Sequence, residues 1–163
     1  MINFAEMILM GVLATLFMDL LSILLGRLKI IHQLIEPQAV GRWTLYMFKG
    51  RFMHKDIHRT PALKNEKSAA LLSHYLIGIL LAGVYSLTEL KEPAMSDQPW
   101  LALIFGVATV LLPWLWLYPS MGLGFLASKA PRRSPYIVTS LVNHTNFGLG
   151  LVIWIVFFRH FFI

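Results

Sequence analysis

The sequence contains no cysteine, and only 13% of its 163 residues are charged. Without cysteine the chain has no disulfide, no thiolate metal ligand, no iron–sulfur cluster and no thiol nucleophile. Any metal would have to be bound by histidine, carboxylate or carbonyl groups. A soluble domain carries about 25% charged residues, whereas hydrophobic residues make up 57% of this chain. The composition therefore indicates a membrane protein, and the length suits one domain over residues 1–163.

Four long apolar stretches predict an all-α fold, an integral membrane four-helix bundle. They cover about residues 2–25, 68–88, 100–118 and 135–158. The first should be a retained helix and not a cleaved signal peptide, because the N-terminus has neither the basic region nor the small-residue cleavage site of a signal peptide. Pro113 lies inside the third stretch and predicts a kink, because it leaves the carbonyl oxygen of Thr109 without its usual donor. Ser134 and Pro135 suit the start of the fourth helix.

A polar segment at residues 27–67 separates the first two apolar stretches and holds nine lysine or arginine residues. Within it, Pro37 suits the first position of a helix and Gly50 suits its end. The apolar face of this helix would include Trp43, and its polar face would include Arg42. Aromatic and basic residues arranged in this way predict an amphipathic helix lying in the membrane interface, in the first cytoplasmic loop. The other interpretation is a helix packed on the cytoplasmic end of the bundle.

The net charge of +6 comes mainly from this segment and from the basic loop at residues 129–133. Both connections lie on the same side of a four-helix bundle. The positive-inside rule therefore predicts cytoplasmic basic loops and both termini outside, an N-out and C-out topology. Loop charge explains the basic excess, so the expected partner is the lipid bilayer and no nucleic-acid partner is expected.

Three polar side chains interrupt the apolar helices at similar depths. At 1.5 Å per residue, Asp19 and His74 would lie about 9 Å from the cytoplasmic end, and His144 about 13 Å. A charge in hydrocarbon costs roughly 2.5–3.5 kcal/mol, so Asp19 needs a partner within the protein. Its spacing places it on a stripe of small and polar residues that should face other helices. These are Gly11, Thr15, Ser22 and Gly26.

This shared depth predicts a binding site in the cytoplasmic leaflet, and three chemistries fit it. The ligand-binding candidates are Asp19, His54, His74, Tyr118, Asn143 and His144, with Asp19, His74 and His144 as metal ligands. Two imidazoles could hold a haem, or with the carboxylate a metal ion. An aspartate–histidine pair could support proton-linked binding or transport. His54 or His74 could also serve as a general base, although no nucleophile elbow, HExxH or phosphate loop is present, so enzymatic activity stays open.

The leading hypothesis is a membrane protein that binds a metal, a haem or another small ligand at this polar layer. The alternative is a non-enzymatic scaffold or a transporter component, proton-linked or lipid-binding, whose polar layer is structural. In that case Asp19 would pair with a histidine or with Arg42 only to hold the bundle together. The small-residue stripes would also suit a homodimer.

Several short segments resemble a family of small bacterial membrane proteins known as domain of unknown function 2938. They are Gly11 to Asp19, Val40-Gly-Arg42, Gly50-Arg-Phe-Met-His54, Ser73 to Gly78, Pro119 to Gly124, and Asn143-His144. The resemblance extends over nearly the whole chain, from Ile2 to Phe158. It implies a bacterial origin and a four-helix integral membrane fold, and hence a multi-pass protein of the inner (cytoplasmic) membrane. The family has no assigned activity, so the resemblance implies no catalytic residue and no cofactor.

Overall fold

The computed structural model describes residues 4–32, 34–95 and 97–161. Within these ranges the chain forms five helices and no strand, which confirms the predicted all-α class. The helices are α1 (Phe4–Arg27), α2 (Pro37–Met47), α3 (Glu66–Lys91), α4 (Trp100–Met121) and α5 (Arg133–Phe161). Of these, α1, α3, α4 and α5 are long and apolar enough to cross a membrane. The predicted start of the first helix at Ile2 lies outside the described residues.

The helix ends differ from the predicted bounds by a few residues. α3 begins before residue 68 and continues to Lys91, so Glu89 belongs to the helix and not to the loop that follows it. α4 continues past residue 118 to Met121, and α5 begins at Arg133, one residue before Ser134. Glu66 and Glu89, which lie near the two ends of α3, each pair with an arginine from another element.

Pro113 disturbs α4 as the sequence predicted, and the disturbance takes the form of a π-helical turn at Pro113–Leu117. The carbonyl oxygen of Thr109 accepts a hydrogen bond from the backbone N–H of Leu112, at 3.0 Å. The helix ends where Gly122 adopts a φ of +93°. A side chain at Gly122 would also collide with the backbone of Lys55, so the turn brings the 51–60 segment against the end of α4.

The membrane helices pack through glycines. α1 lies between α3 and α5, and α4 packs on the far side of α5. Gly11 and Gly78 allow α1 and α3 to meet, Gly150 brings α5 against α1, and Gly106 lies against Gly148 between α4 and α5. At each of these glycines an added Cβ would overlap an atom of the neighbouring helix. Small residues let helix backbones approach closely, which is how helices associate where lipid provides no hydrophobic driving force.

The main apolar core draws on all four membrane helices. Its buried members are Met10, Ala14, Ala82, Tyr85, Ala102, Phe147, Leu151 and Trp154. The ring of Tyr85 on α3 lies 5.4 Å, centroid to centroid, from that of Phe105 on α4. This ring contact joins α3 to α4 within the apolar core. We call the end that carries the connections 28–65 and 122–132 the basic end.

α2 packs against the start of α3, which is the second of the two interpretations that the sequence left open. Ala39, Gly41 and Trp43 are buried, and Gly41 lies directly against the backbone of Glu66. The indole N–H of Trp43 donates a hydrogen bond of 3.0 Å to the carbonyl oxygen of Phe52. One face of α2 is therefore covered by protein.

Arg42 was one of the two partners considered for Asp19, and it pairs instead with Glu66 of α3. Its guanidinium donates to both carboxylate oxygens of Glu66, at 2.6 and 3.1 Å. It also donates to the carbonyl oxygens of Ile57 and Thr60, at 3.0 and 3.1 Å. The hydrogen bond with Glu66 raises the pKa of Arg42 above its usual value. The pair joins α2, α3 and the intervening segment into one unit at the basic end.

We predict that Gly106→Ala lowers the melting temperature of the detergent-solubilised protein. The new Cβ would overlap the backbone of Gly148, and forcing extra atoms into packed helices typically costs about 1–3 kcal/mol. Gly26→Ala is the control, because nothing lies within 4 Å of its added Cβ. This change should be neutral or stabilising, since alanine favours a helix by up to about 1 kcal/mol over glycine. Equal melting temperatures for the two variants, measured by circular dichroism, would contradict the close contact between α4 and α5.

Candidate functional site

Asp19 on α1 and His74 on α3 form a direct contact. Nε2 of His74 lies 2.9 Å from Oδ1 of Asp19, and the hydroxyl of Tyr75 lies close to the same carboxylate. The pairing follows from the helix contact one turn farther from the basic end, where Thr15 packs against Gly78. Because α1 and α3 are antiparallel, the residue one turn after Thr15 meets the residue one turn before Gly78. The sequence was therefore right that a histidine could serve as the partner of Asp19.

This pair is not enclosed by the bundle. The side chain of His74 is 41% exposed and that of Asp19 is 34% exposed. Asp19 faces α3, as its place on the stripe of small and polar residues predicted, and its carboxylate stays partly exposed beside the α1–α3 contact. Arg159 and Glu89 form an ion pair near the far end of the same bundle, and their side chains are only 13% and 9% exposed.

His144 on α5 has a different partner. Its Nδ1 lies 2.7 Å from the hydroxyl oxygen of Thr109 on α4. The Thr109 hydroxyl donates its single hydrogen to the carbonyl oxygen of Gly106, so Nδ1 must carry the imidazole hydrogen and donate it. Nε2 of His144 is then the nitrogen without a hydrogen. His144 and His74 are near enough to interact electrostatically, which places the two imidazoles in the same region of the bundle.

Asn143 and Tyr118 also bond to partners on neighbouring helices. The hydroxyl oxygen of Ser22 on α1 lies 2.8 Å from Oδ1 of Asn143 on α5 and 2.7 Å from the carbonyl oxygen of Met18, two acceptors for its single hydrogen. The hydroxyl of Tyr118 on α4 donates to the carbonyl oxygen of Tyr136 on α5, at 3.1 Å. The side chains predicted to bind one ligand are thus divided among several helix contacts. Their assignment as ligand-binding residues stays a prediction.

The predicted three-ligand metal set is not assembled. Within the ranges that the structure describes, no group of three histidine, cysteine, aspartate or glutamate side chains could hold a metal ion. The physical reason lies in the hydrogen bonds: His74 directs Nε2 at Asp19, while His144 bonds to Thr109. The carboxylate and the first imidazole therefore satisfy each other and do not converge on a shared ion with the second imidazole.

His54 lies outside the membrane helices, in the segment that follows α2. Its backbone N–H donates to the carbonyl oxygen of Ser120, at 2.8 Å, and its ring packs edge-on against Tyr46. Nδ1 lies 3.2 Å from the hydroxyl oxygen of Thr60, which donates its own hydrogen to the carbonyl oxygen of Asp56. Nδ1 is therefore the donor. Nε2 is buried, and the described part of the chain offers it no hydrogen-bond partner.

The sequence interpretation missed an ion-pair network at the end opposite the basic end. Arg159 of α5 donates to Glu6 of α1 at 2.9 Å, and to both carboxylate oxygens of Glu89 of α3 at 2.8 Å. The network ties three membrane helices together with little exposure to solvent. A signal was available, because each of the three apolar stretches has one of these charges close to the same end of the predicted bundle.

The sequence profile of a family described as "Protein of unknown function (DUF2938)" matches residues 8–157. This range covers most of the chain and includes every residue proposed above as a ligand. No curated protein and no solved structure matches the chain.

We predict a pH dependence of stability that originates at His54. Burial, together with the charge of Arg51, lowers the pKa of His54 below its ordinary value of 6.5. The unfolded chain therefore takes up a proton at a higher pH than the folded chain does. The corresponding stability is present above about pH 6.5 and is lost as the pH falls towards the lower folded-state pKa.

The measurement is the melting temperature of the purified protein between about pH 7.5 and 5.5. His54→Gln should show a smaller decrease over this range than the wild type does. His58→Gln is the control, because His58 is exposed in the same segment, and it should keep the wild-type decrease. An unchanged pH dependence in His54→Gln would contradict the neutral, buried state of this histidine.

Proposed function

We propose that this chain, which belongs to the DUF2938 family of proteins of unknown function, binds a small polar solute at the Asp19–His74 pair. Binding of the solute would be accompanied by exchange of a proton on the pair. Four helices that can cross a bilayer make it a multi-pass membrane protein in contact with lipid. The observation that carries the proposal is the exposure of the pair, 34% for Asp19 and 41% for His74.

The exposure matters because hydrocarbon does not solvate a carboxylate. A charged side chain facing lipid in the middle of a helix costs roughly 2.5–3.5 kcal/mol. A purely structural pair is expected to be covered by protein, as the Arg159–Glu89 pair is. Water or a polar ligand would therefore solvate the exposed side of the Asp19–His74 pair better than lipid would. Aspartate–histidine pairs inside membranes typically act as proton relays, so a proton is a natural part of the binding event.

A small polar solute suits this geometry better than a metal ion or a haem. Both would need ligand nitrogens or oxygens that converge on one point. His74 instead directs Nε2 at Asp19, while His144 bonds to Thr109. A solute that accepts from the imidazole or donates to the carboxylate can join the existing pair without breaking the bundle.

The second candidate is a structural polar layer without a ligand. It is favoured by the Thr109–His144 and Ser22–Asn143 hydrogen bonds, which lie between helices. Thr109 and Ser22 are each only 7% exposed, so these bonds specify helix packing. On this alternative a second copy of the chain, or another helix, would cover the Asp19–His74 pair.

We also propose an orientation of the chain in the membrane. The basic connections at residues 27–67 and 129–133 would face the cytoplasm of a bacterial cell, with both termini on the opposite side of the inner membrane. The Asp19–His74 pair would then lie in the cytoplasmic leaflet, nearer to the basic end of α1 and α3.

We predict that a thiol placed beside Asp19 reacts with water-soluble reagents. The chain has no cysteine, so Tyr75→Cys introduces a unique thiol; it keeps both Asp19 and His74 but removes the Tyr75 hydroxyl that lies close to the carboxylate. Because the thiolate is the reactive form, modification requires water at the site. A cationic methanethiosulfonate reagent should react faster than an anionic one, and adding Asp19→Asn should remove that preference.

Leu72→Cys is the matched control for this experiment. Leu72 lies on the same helix, three residues nearer the basic end than Tyr75, and is 72% exposed. Its thiol should nevertheless react slowly, because its surroundings are lipid. If Tyr75→Cys reacts as slowly as Leu72→Cys in membranes, the pair is closed to water and the structural alternative is correct. A charge preference that survives Asp19→Asn would exclude Asp19 as the binding group.

We predict the topology with a second pair of single-cysteine variants. His58 lies in the basic segment and Glu92 follows α3 at the opposite end, and both are exposed. A membrane-impermeant maleimide should label Glu92→Cys in intact cells, and His58→Cys only after permeabilisation, because basic loops stay on the cytoplasmic side. The reverse labelling pattern would overturn the orientation while leaving the binding proposal intact.

A further inference from the structure

A basic depression lies on the segment that follows α2. Its lining residues are Arg51, Met53, Lys55, Asp56, Arg59 and Thr60, and its volume is about 760 Å³. Three basic side chains face one acidic side chain across it. The acidic one, Asp56, is paired with Arg59 at 3.3 Å, yet the Arg59 side chain remains 89% exposed. The depression therefore presents uncompensated positive charge to its surroundings.

The depression is held at the end of a membrane helix. The backbone N–H groups of His54 and Ile57 donate to the carbonyl oxygens of Ser120 and Met121, at 2.8 and 3.1 Å. Ser120 and Met121 are the last two residues of α4. Because α4 is long enough to cross the bilayer, the segment bonded to its end lies at the level of the lipid headgroups.

Apolar side chains border the charged ones. Phe48 is 86% exposed, Met53 60% and Phe52 47%. The Phe52 backbone is fixed by the hydrogen bond from Trp43. Arg51 lies over the ring of Tyr46, 5.5 Å from its centroid, which limits where its guanidinium can point. Exposed aromatic and apolar groups beside a basic cluster are typical of surfaces that bind the membrane interface.

We infer that this depression binds the phosphate of an anionic lipid headgroup, and that Phe52 and Met53 contact the adjoining acyl region. Arg51, Lys55 and Arg59 supply the charge that selects an anionic lipid over a zwitterionic one. The apolar border favours a lipid over free phosphate, which has nothing to place against it. This inference concerns a surface separate from the Asp19–His74 pair and does not depend on the function proposed for that pair.

The test is native mass spectrometry of the full chain, released from micelles containing equal amounts of phosphatidylglycerol and phosphatidylcholine. The wild type should retain phosphatidylglycerol preferentially. Arg51→Gln/Lys55→Gln/Arg59→Gln should reduce its apparent affinity by at least about tenfold, because each basic residue near an anionic surface contributes to binding. The control Lys64→Gln/Lys67→Gln/Arg132→Gln removes the same charge from exposed positions at the same end, and should retain the lipid as the wild type does.

The two triple variants should melt at the wild-type temperature, which shows that both fold. If the site variant does not, Lys55→Gln alone serves as the test, because its exposed side chain can be neutralised with little structural change. Equal lipid loss in the site and control variants would overturn the inference, as would equal retention of the two lipids by the wild type. Displacement of phosphatidylglycerol by excess inorganic phosphate would also overturn it, by showing a free-anion site.

Discussion

Hydrocarbon offers no hydrogen-bond partner, so each polar group in a membrane helix must find one within the protein or in water that enters it. Two arginines meet this requirement at opposite ends of the bundle. Arg159 joins α5 to Glu6 and Glu89, while Arg42 joins α2 to Glu66. Removing one partner from such a buried pair typically costs about 3–5 kcal/mol, because the other charge is left uncompensated. These two ion-pair clamps join helices near opposite ends of the bundle, and the glycine contacts set how closely the helices pack between the clamps.

The polar contacts between the clamps are of two kinds. Thr109–His144 and Ser22–Asn143 lie between helices, with both the threonine and the serine buried. Contacts of this kind fix one helix arrangement, since any other leaves a polar group without a partner. The Asp19–His74 contact differs because it is open on one side. That difference sets the Asp19–His74 contact apart from the two contacts whose threonine and serine are buried between helices.

The segment after α2 shows how a loop gains a defined shape beside a membrane. Its backbone is bonded to the end of α4, its carbonyl oxygens accept from Arg42, and His54 packs within it as a neutral, buried ring. Because its polar backbone groups are satisfied in this way, the basic side chains are presented from a fixed frame.

The sequence by itself determined the four membrane helices, the disturbance at Pro113 and the need of Asp19 for a partner. These follow from local properties, because length, apolarity and an isolated charge can be read along one stretch of chain. Only the tertiary structure decided that Asp19 pairs with His74, that Arg42 pairs with Glu66, and that His144 bonds to Thr109 instead of completing a metal site. Residues at equal depth on different helices can face each other or face apart, because helix rotation and neighbour order depend on contacts such as Gly11–Gly78 and Gly106–Gly148. Those contacts join residues far apart in the chain, so no local pattern encodes which of several polar side chains will meet.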